Sequence, residues 1–179
     1  GKLLNNKYLG LVNLTSSVSG RFGEKLNDVE LIAQSNSFEF KNYTYDNLSA
    51  KVIIQNSKID IDCFINDPNL NLKIDGKVDW QKNKQLFKFD ANVQHAHLAK
   101  LHLLDRDSSN DVSFKIKVDL TGNNFKNMNG GVYLDSLIWK EKKTTFSAKK
   151  FHVQTFQEDE IGLISVSSDW LTGRVEGKF

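Results

Sequence analysis

The sequence predicts an all-β protein made of antiparallel strands that are apolar on one face and charged on the other. Three observations carry this reading. Apolar and polar residues alternate with period two through several long segments. Clusters of Asn, Asp, Ser and Gly separate those segments. Outside one window, no stretch holds a 3.6-residue period for three turns. Parallel strands, buried on both faces, would instead read as unbroken apolar runs, so an antiparallel meander is expected.

Taken in order, weaker alternation predicts strands over residues 8–18, 29–33, 37–43 and 50–55. Four strong strands follow, at 59–65, 70–80, 87–94 and 112–120. The clearest is 70–80, where Leu70, Leu72, Ile74, Val78 and Trp80 share one face and Asn71, Lys73, Asp75, Lys77 and Asp79 share the other. Such strict alternation marks a half-buried strand. Turn residues lie between, at 56–57, 66–69, 82–84, 105–111 and 122–124. Further strands are expected at 132–139, 146–155 and 161–167. One window resists: Leu98, Leu101 and Leu104 recur at helical spacing, so a short helical turn competes with a strand there.

Composition narrows the function. The 24 Lys+Arg and 22 Asp+Glu leave a net charge of +2, with basic residues spread along the chain, so no nucleic-acid partner is expected. Cys63 stands alone, which rules out an internal disulfide and a thiolate-built zinc site. No run approaches the ~18 apolar residues of a membrane-spanning helix, and no signal peptide is read. A single Pro is unusual for a compact sandwich, whose turns recruit proline often.

The chain opens Gly1-Lys2-Leu3-Leu4 and is still alternating at Val175-Glu176-Gly177-Lys178-Phe179. Residues 1–179 are therefore expected to be one continuous fragment of a longer, repetitive β domain. Gly20, Gly122 and Gly173 each open a similar phrase, spaced 102 and 51 residues apart. Such spacing suggests an elongated array whose units stack on their neighbours.

Candidate chemistry is sparse. His95 and His97 sit two apart, the spacing of a chelating pair, but no neighbouring carboxylate or thiol completes a ligand set, and His102 and His152 stand apart. Asp60, Asp62, Asp75 and Asp79 offer the paired carboxylates of acid–base work. They interleave with Lys58, Lys73 and Lys77, which the solvated face of a sheet explains better. No phosphate loop, nucleophile elbow or Cys/His dyad is present. No catalytic residue, metal or cofactor is expected, and the protein is read as a non-enzyme. Trp80, Trp139 and Trp170 with the twelve Phe are read mostly as core, with Trp80 and Trp139 at strand ends where the indole N–H stays wet.

Every strong strand needs its apolar face covered. A second sheet would do so, giving a β-sandwich or jelly roll. Alternatively, one elongated antiparallel sheet curls into a U-shaped trough whose cover is a ligand. About ten strands at ~4.8 Å would make a groove on the order of 50 Å long, and an acyl chain inside would gain about 0.8 kcal/mol per buried CH₂. The lining expected for that groove is Ile59, Ile61, Ile65, Leu70, Leu72, Ile74, Val78, Trp80, Phe87, Phe89, Val93, Val112, Phe114, Ile116, Val118 and Leu120.

Residues 67–80, 89–98 and 120–130 resemble the TamB (translocation and assembly module) family, in the large versions found in Bacteroidetes-type bacteria. The stretch 167–179, with its Ser168-Asp169 and closing Gly177-Lys178-Phe179, resembles the recurring phrase of the wider AsmA-like group. The resemblance runs from about Gly20 to the end and rests on strand and turn patterns. It implies a β-taco, a long sheet folded lengthwise around an apolar interior. It also implies a periplasmic protein anchored in the inner membrane of a Gram-negative bacterium, which carries phospholipid towards the outer membrane and supports outer-membrane biogenesis. The implied partners are phospholipid or another acyl-chain ligand and, through the full-length chain, a BamA/TamA-type outer-membrane protein. A homodimer of the fragment, a strand-pairing scaffold for outer-membrane proteins and a carbohydrate-binding or adhesive sandwich complete the expectations. The turn at 98–104 departs from an uninterrupted taco and is expected to act as a plug.

Overall fold

The computed structural model describes residues 9–21, 28–81, 84–104, 110–124, 127–158 and 161–178. Among these, eleven strands form one sheet: β1 (Leu9–Arg21), β2 (Asp28–Phe40), β3 (Tyr43–Gln55), β4 (Lys58–Asp67), β5 (Leu70–Gln81), β6 (Lys84–Ala96), β7 (Asn110–Thr121), β8 (Asn129–Glu141), β9 (Thr144–Glu158), β10 (Ile161–Ser168) and β11 (Thr172–Gly177). Their spatial order is their chain order, and neighbours pair antiparallel. The sheet does not close into a barrel, and no second sheet covers it among the described residues. It is the elongated, curled sheet rather than the sandwich.

Two expected boundaries move. Residues 29–33 and 37–43 were expected as separate strands, but β2 runs unbroken to Phe40 and Tyr43 opens β3. Lys41 and Asn42 make the hairpin turn at φ 52° and 61°, the left-handed pair such a turn demands. The apparent break at Gln34-Ser35-Asn36 is a change of face. Val29, Leu31 and Ala33 pair with Ile54, Val52 and Ala50, whereas beyond it Phe38 and Phe40 pair with Tyr45 and Tyr43. Asn47 of β3, at φ 52°, lies opposite this point, where pairing passes from Ser35–Leu48 to Ser37–Asp46 and the alternation shifts by one residue in both strands, so both sets reach the apolar face. Ser136, at φ 55°, does the same in β8, between Val132 and Leu134 on one side and Leu137 and Trp139 on the other. β6 shifts register between Val93 and Ala96. These irregularities lie towards one end of the strands and bend the sheet there.

The sheet curls towards its apolar face. Tyr45, Ile65, Leu70, Val93, Ala96, Leu101 and Val112 form one buried cluster, against which Phe38 and Phe40 of β2 and Leu137 and Trp139 of β8 also pack. Those two strands are six places apart in the sheet, about 29 Å if it were flat. The repeat signal has a partial structural cause. A side chain at Gly20 or Gly122 would collide with the backbone opening the next strand, whereas Gly173 faces open space, so the third phrase is not equivalent.

Candidate functional site

Strand register places the whole expected lining on one face. Ile59 lies beside Val78, Ile65 beside Leu72, and Cys63 beside Ile74. Val78 lies beside Phe87, and Phe87, Phe89, Val93 and Ala96 lie beside Leu120, Val118, Phe114 and Val112. Ile61 lies beside Gly76, and the Phe89 ring folds over that glycine. Ile116 lies beside Ala91, Leu70 beside Ala96, and Trp80 beside Gln85 next to the strand end.

Burial along this groove is uneven. Where the β2–β3, β4–β5 and β6–β7 connections meet, Ile65, Leu70, Val93 and Val112 are buried. In the middle, Ile61, Cys63, Ile74, Ile116 and Val118 are only half-buried. Towards the other end Val78 is buried, but Trp80 stands 50% exposed with its ring edge-on to Phe87 at 6.2 Å. Trp170, in the β10–β11 turn, is 60% exposed and is not the core residue expected of it.

The buried end is sealed by residues 97–104. They form a single helical turn, in which the Leu101 N–H donates to the His97 carbonyl (3.0 Å) and the Leu103 N–H to that of Leu98 (2.9 Å). Leu101 is fully buried, which is worth about 2–3 kcal/mol relative to exposure. The turn is fixed at both ends. The Ala99 N–H donates to Asn110 Oδ1 (3.0 Å). His102 Nδ1 lies 2.9 Å from the Lys41 carbonyl, across β4 and β5 at the β2–β3 turn. The ring of Tyr43 meets His102 edge-on at 6.3 Å. The buried Asp67 carboxylate braces the same corner, accepting from the Tyr43 hydroxyl (2.6 Å) and from the N–H groups of Asp46 (2.9 Å) and Asn69 (2.7 Å). Burial foremost, then the bond to Asp67, pushes the Tyr43 phenol up to about 12. Leu98 and Leu101 were legible as apolar at helical spacing; Asn110, His102 and Tyr43 were missed, because their partnership depends on how far the sheet curls.

Cys63 sits on the groove floor, half-buried, and burial pushes its thiol above the ordinary range, with Asp62 adding to the effect. The opposite face carries the carboxylates noted above. Lys77 lies 3.7 Å from Asp60, Lys58 3.9 Å from Asp79 and Lys73 3.2 Å from Asp75. These are ion pairs of a solvated face. The rings of His95 and His97 are 5.9 Å apart, with Asp111 3.7 Å from His97. No group of three potential metal-ligating side chains occurs among the described residues. No described helix is long and apolar enough to cross a membrane. The Ser168-Asp169 phrase builds a turn: Ser168 Oγ accepts from the Leu171 N–H (2.9 Å), and the Lys149 N–H donates to Asp169.

Compared with protein-family models, curated proteins and solved structures, the chain matches none.

Proposed function

We propose that the apolar face is a section of a hydrophobic groove that carries phospholipid acyl chains between inner and outer membranes. One observation supports this most: a continuous apolar face, half-buried through its middle, lies open with no protein layer over it among the described residues. Apolar surface of that extent is costly in water and calls for a cover, and a flexible acyl chain fits a long, unspecific groove better than a shaped partner would. In this reading, which follows the TamB resemblance, the full-length protein is anchored in the inner membrane and works in the periplasm. A BamA/TamA-type outer-membrane protein receives what it delivers.

The test is native mass spectrometry of protein purified without harsh detergent, with extraction of any bound lipid. The wild type should carry phospholipid. Ile74→Asp and Phe114→Glu, each placing a charge on the groove wall, should lower occupancy by at least about tenfold, since burying an unpaired carboxylate costs more than the ~1.4 kcal/mol that a tenfold change represents. A folded wild type free of lipid, or charge variants that retain it, would refute the groove.

A second reading is a scaffold that pairs strands with outer-membrane proteins during assembly. The outer edges of β1 and β11 favour it, since among the described residues no further strand pairs with either.

A further inference from the structure

The charged face holds a hollow that lipid conduction does not use. Its volume is about 580 Å³, and Lys117, Asp119, Thr121, Asn129, Tyr133 and Asp135 surround it. Gly131 lies opposite Asp119 where β8 pairs with β7, and the backbone of its neighbour Gly130 forms part of the lining. Gly130 adopts φ 122° and its backbone runs so close to the Asp119 carbonyl that no side chain fits there.

Its aromatic wall is held from several sides. The Tyr133 ring leans over Gly131, where an added Cβ would lie 2.8 Å from the phenol. His152 meets the ring edge-on at 5.1 Å, and Gln154 Nε2 donates to the Tyr133 hydroxyl (3.2 Å). The two carboxylates are likewise positioned. Asp135 Oδ1 lies 2.8 Å from His152 Nε2, and Asp119 Oδ2 lies 3.0 Å from Lys88 Nζ. A smaller hollow of about 260 Å³ shares Lys117 and Asp135 and continues to Lys73 and Asp75 on β5. Together they make a furrow across four strands, about 14 Å at sheet spacing.

We infer that this furrow binds a neutral saccharide of two or three sugar units. Carboxylates at both ends of the first hollow disfavour anions, Lys117 between them disfavours cations, and the exposed lining mixes these charged groups with apolar atoms, which suits an uncharged, amphipathic ligand. What remains is a ligand rich in hydroxyls with an apolar ring face: Tyr133 offers a fixed flat surface for sugar C–H groups, and the carboxylates, Asn129 and Lys117 offer acceptors and donors for hydroxyls.

Isothermal titration of the whole chain with cellotriose, chitotriose and maltotriose tests this. At least one should bind with Kd of about 1 mM or tighter. Tyr133→Ala should weaken that binding at least about tenfold, and Asp119→Asn, which keeps the side chain's shape, should weaken it measurably with an unchanged melting curve. Lys51→Ala, on the same charged face but outside the furrow, should bind the sugar as the wild type does. Absence of binding to all three sugars, or binding that survives both furrow substitutions, would overturn the inference. Binding lost equally in Lys51→Ala would place the sugar outside the furrow and overturn it as well.

Discussion

Tyr43 and Asp67 show how much of the groove's closed end rests on two side chains. The Asp67 carboxylate ties β3 to the β4–β5 turn through three donors, and Tyr43 in turn touches His102 of the sealing segment. The phenol is held up to about 12 from an ordinary value of 10.0, so the folded state keeps its proton where the unfolded state releases it. Stability linked to this group is therefore fully present below pH 10 and is lost as the pH rises from 10 through 12. Urea unfolding across that window should show the decline. Tyr43→Phe should lower stability at neutral pH by about 1.5–3 kcal/mol, the worth of one hydrogen bond to a charged group, and should flatten the alkaline slope. An unchanged slope would mean that the phenol does not couple to folding. The residue types at this corner are visible in the sequence, but their meeting is not, because Tyr43 and Asp67 lie 24 residues apart and are joined only by strand register.

Among the elements, the connection between β6 and β7 differs most from its neighbours. The strands themselves were legible because period-two alternation reports directly which face is dry, and this held over 59–65, 70–80, 87–94 and 112–120. Alternation failed where β2 changes face at Gln34-Ser35-Asn36, opposite the left-handed Asn47 of β3, and there one strand read as two. The Leu98, Leu101, Leu104 spacing correctly signalled a helical turn, yet not that it would stop after one turn with Leu101 at the bottom of the groove. Leu101→Ala should cost about 2–5 kcal/mol, the range for emptying a packed leucine site, measurable by thermal or urea unfolding. Leu103→Ala, on a side chain that is 39% exposed, should cost much less. Equal losses would show that the turn is not anchored through Leu101. The hollow on the charged face escaped the sequence altogether, since Lys117, Asp119, Asn129, Tyr133 and Asp135 meet only through the pairing of β7 with β8.

For the whole molecule, one sheet with a dry face and a wet face leaves two open questions of surface, and each has its own chemistry. The charged face is covered by water and by ion pairs worth under about 1 kcal/mol each. Among the described residues the apolar face has no such cover, and its closure at one end leaves the middle and the Trp80 end accessible. The sequence alone could not choose between a second sheet and a trough, because alternation reports dryness and not its cause; among the described residues all eleven strands join one sheet. The most direct measurement uses Cys63, the protein's single cysteine, on the groove floor between Ala50 and Ile74. Its thiol is pushed up by burial, so alkylation by a small maleimide should be slow and should accelerate as the pH passes above the ordinary thiol range. With phospholipid vesicles present, the alkylation rate at fixed pH should fall at least about tenfold, the effect expected when a ligand occupies about nine-tenths of the grooves and shields the thiol. An alkylation rate that phospholipid leaves unchanged, in protein shown to have bound it, would contradict a lipid-filled groove.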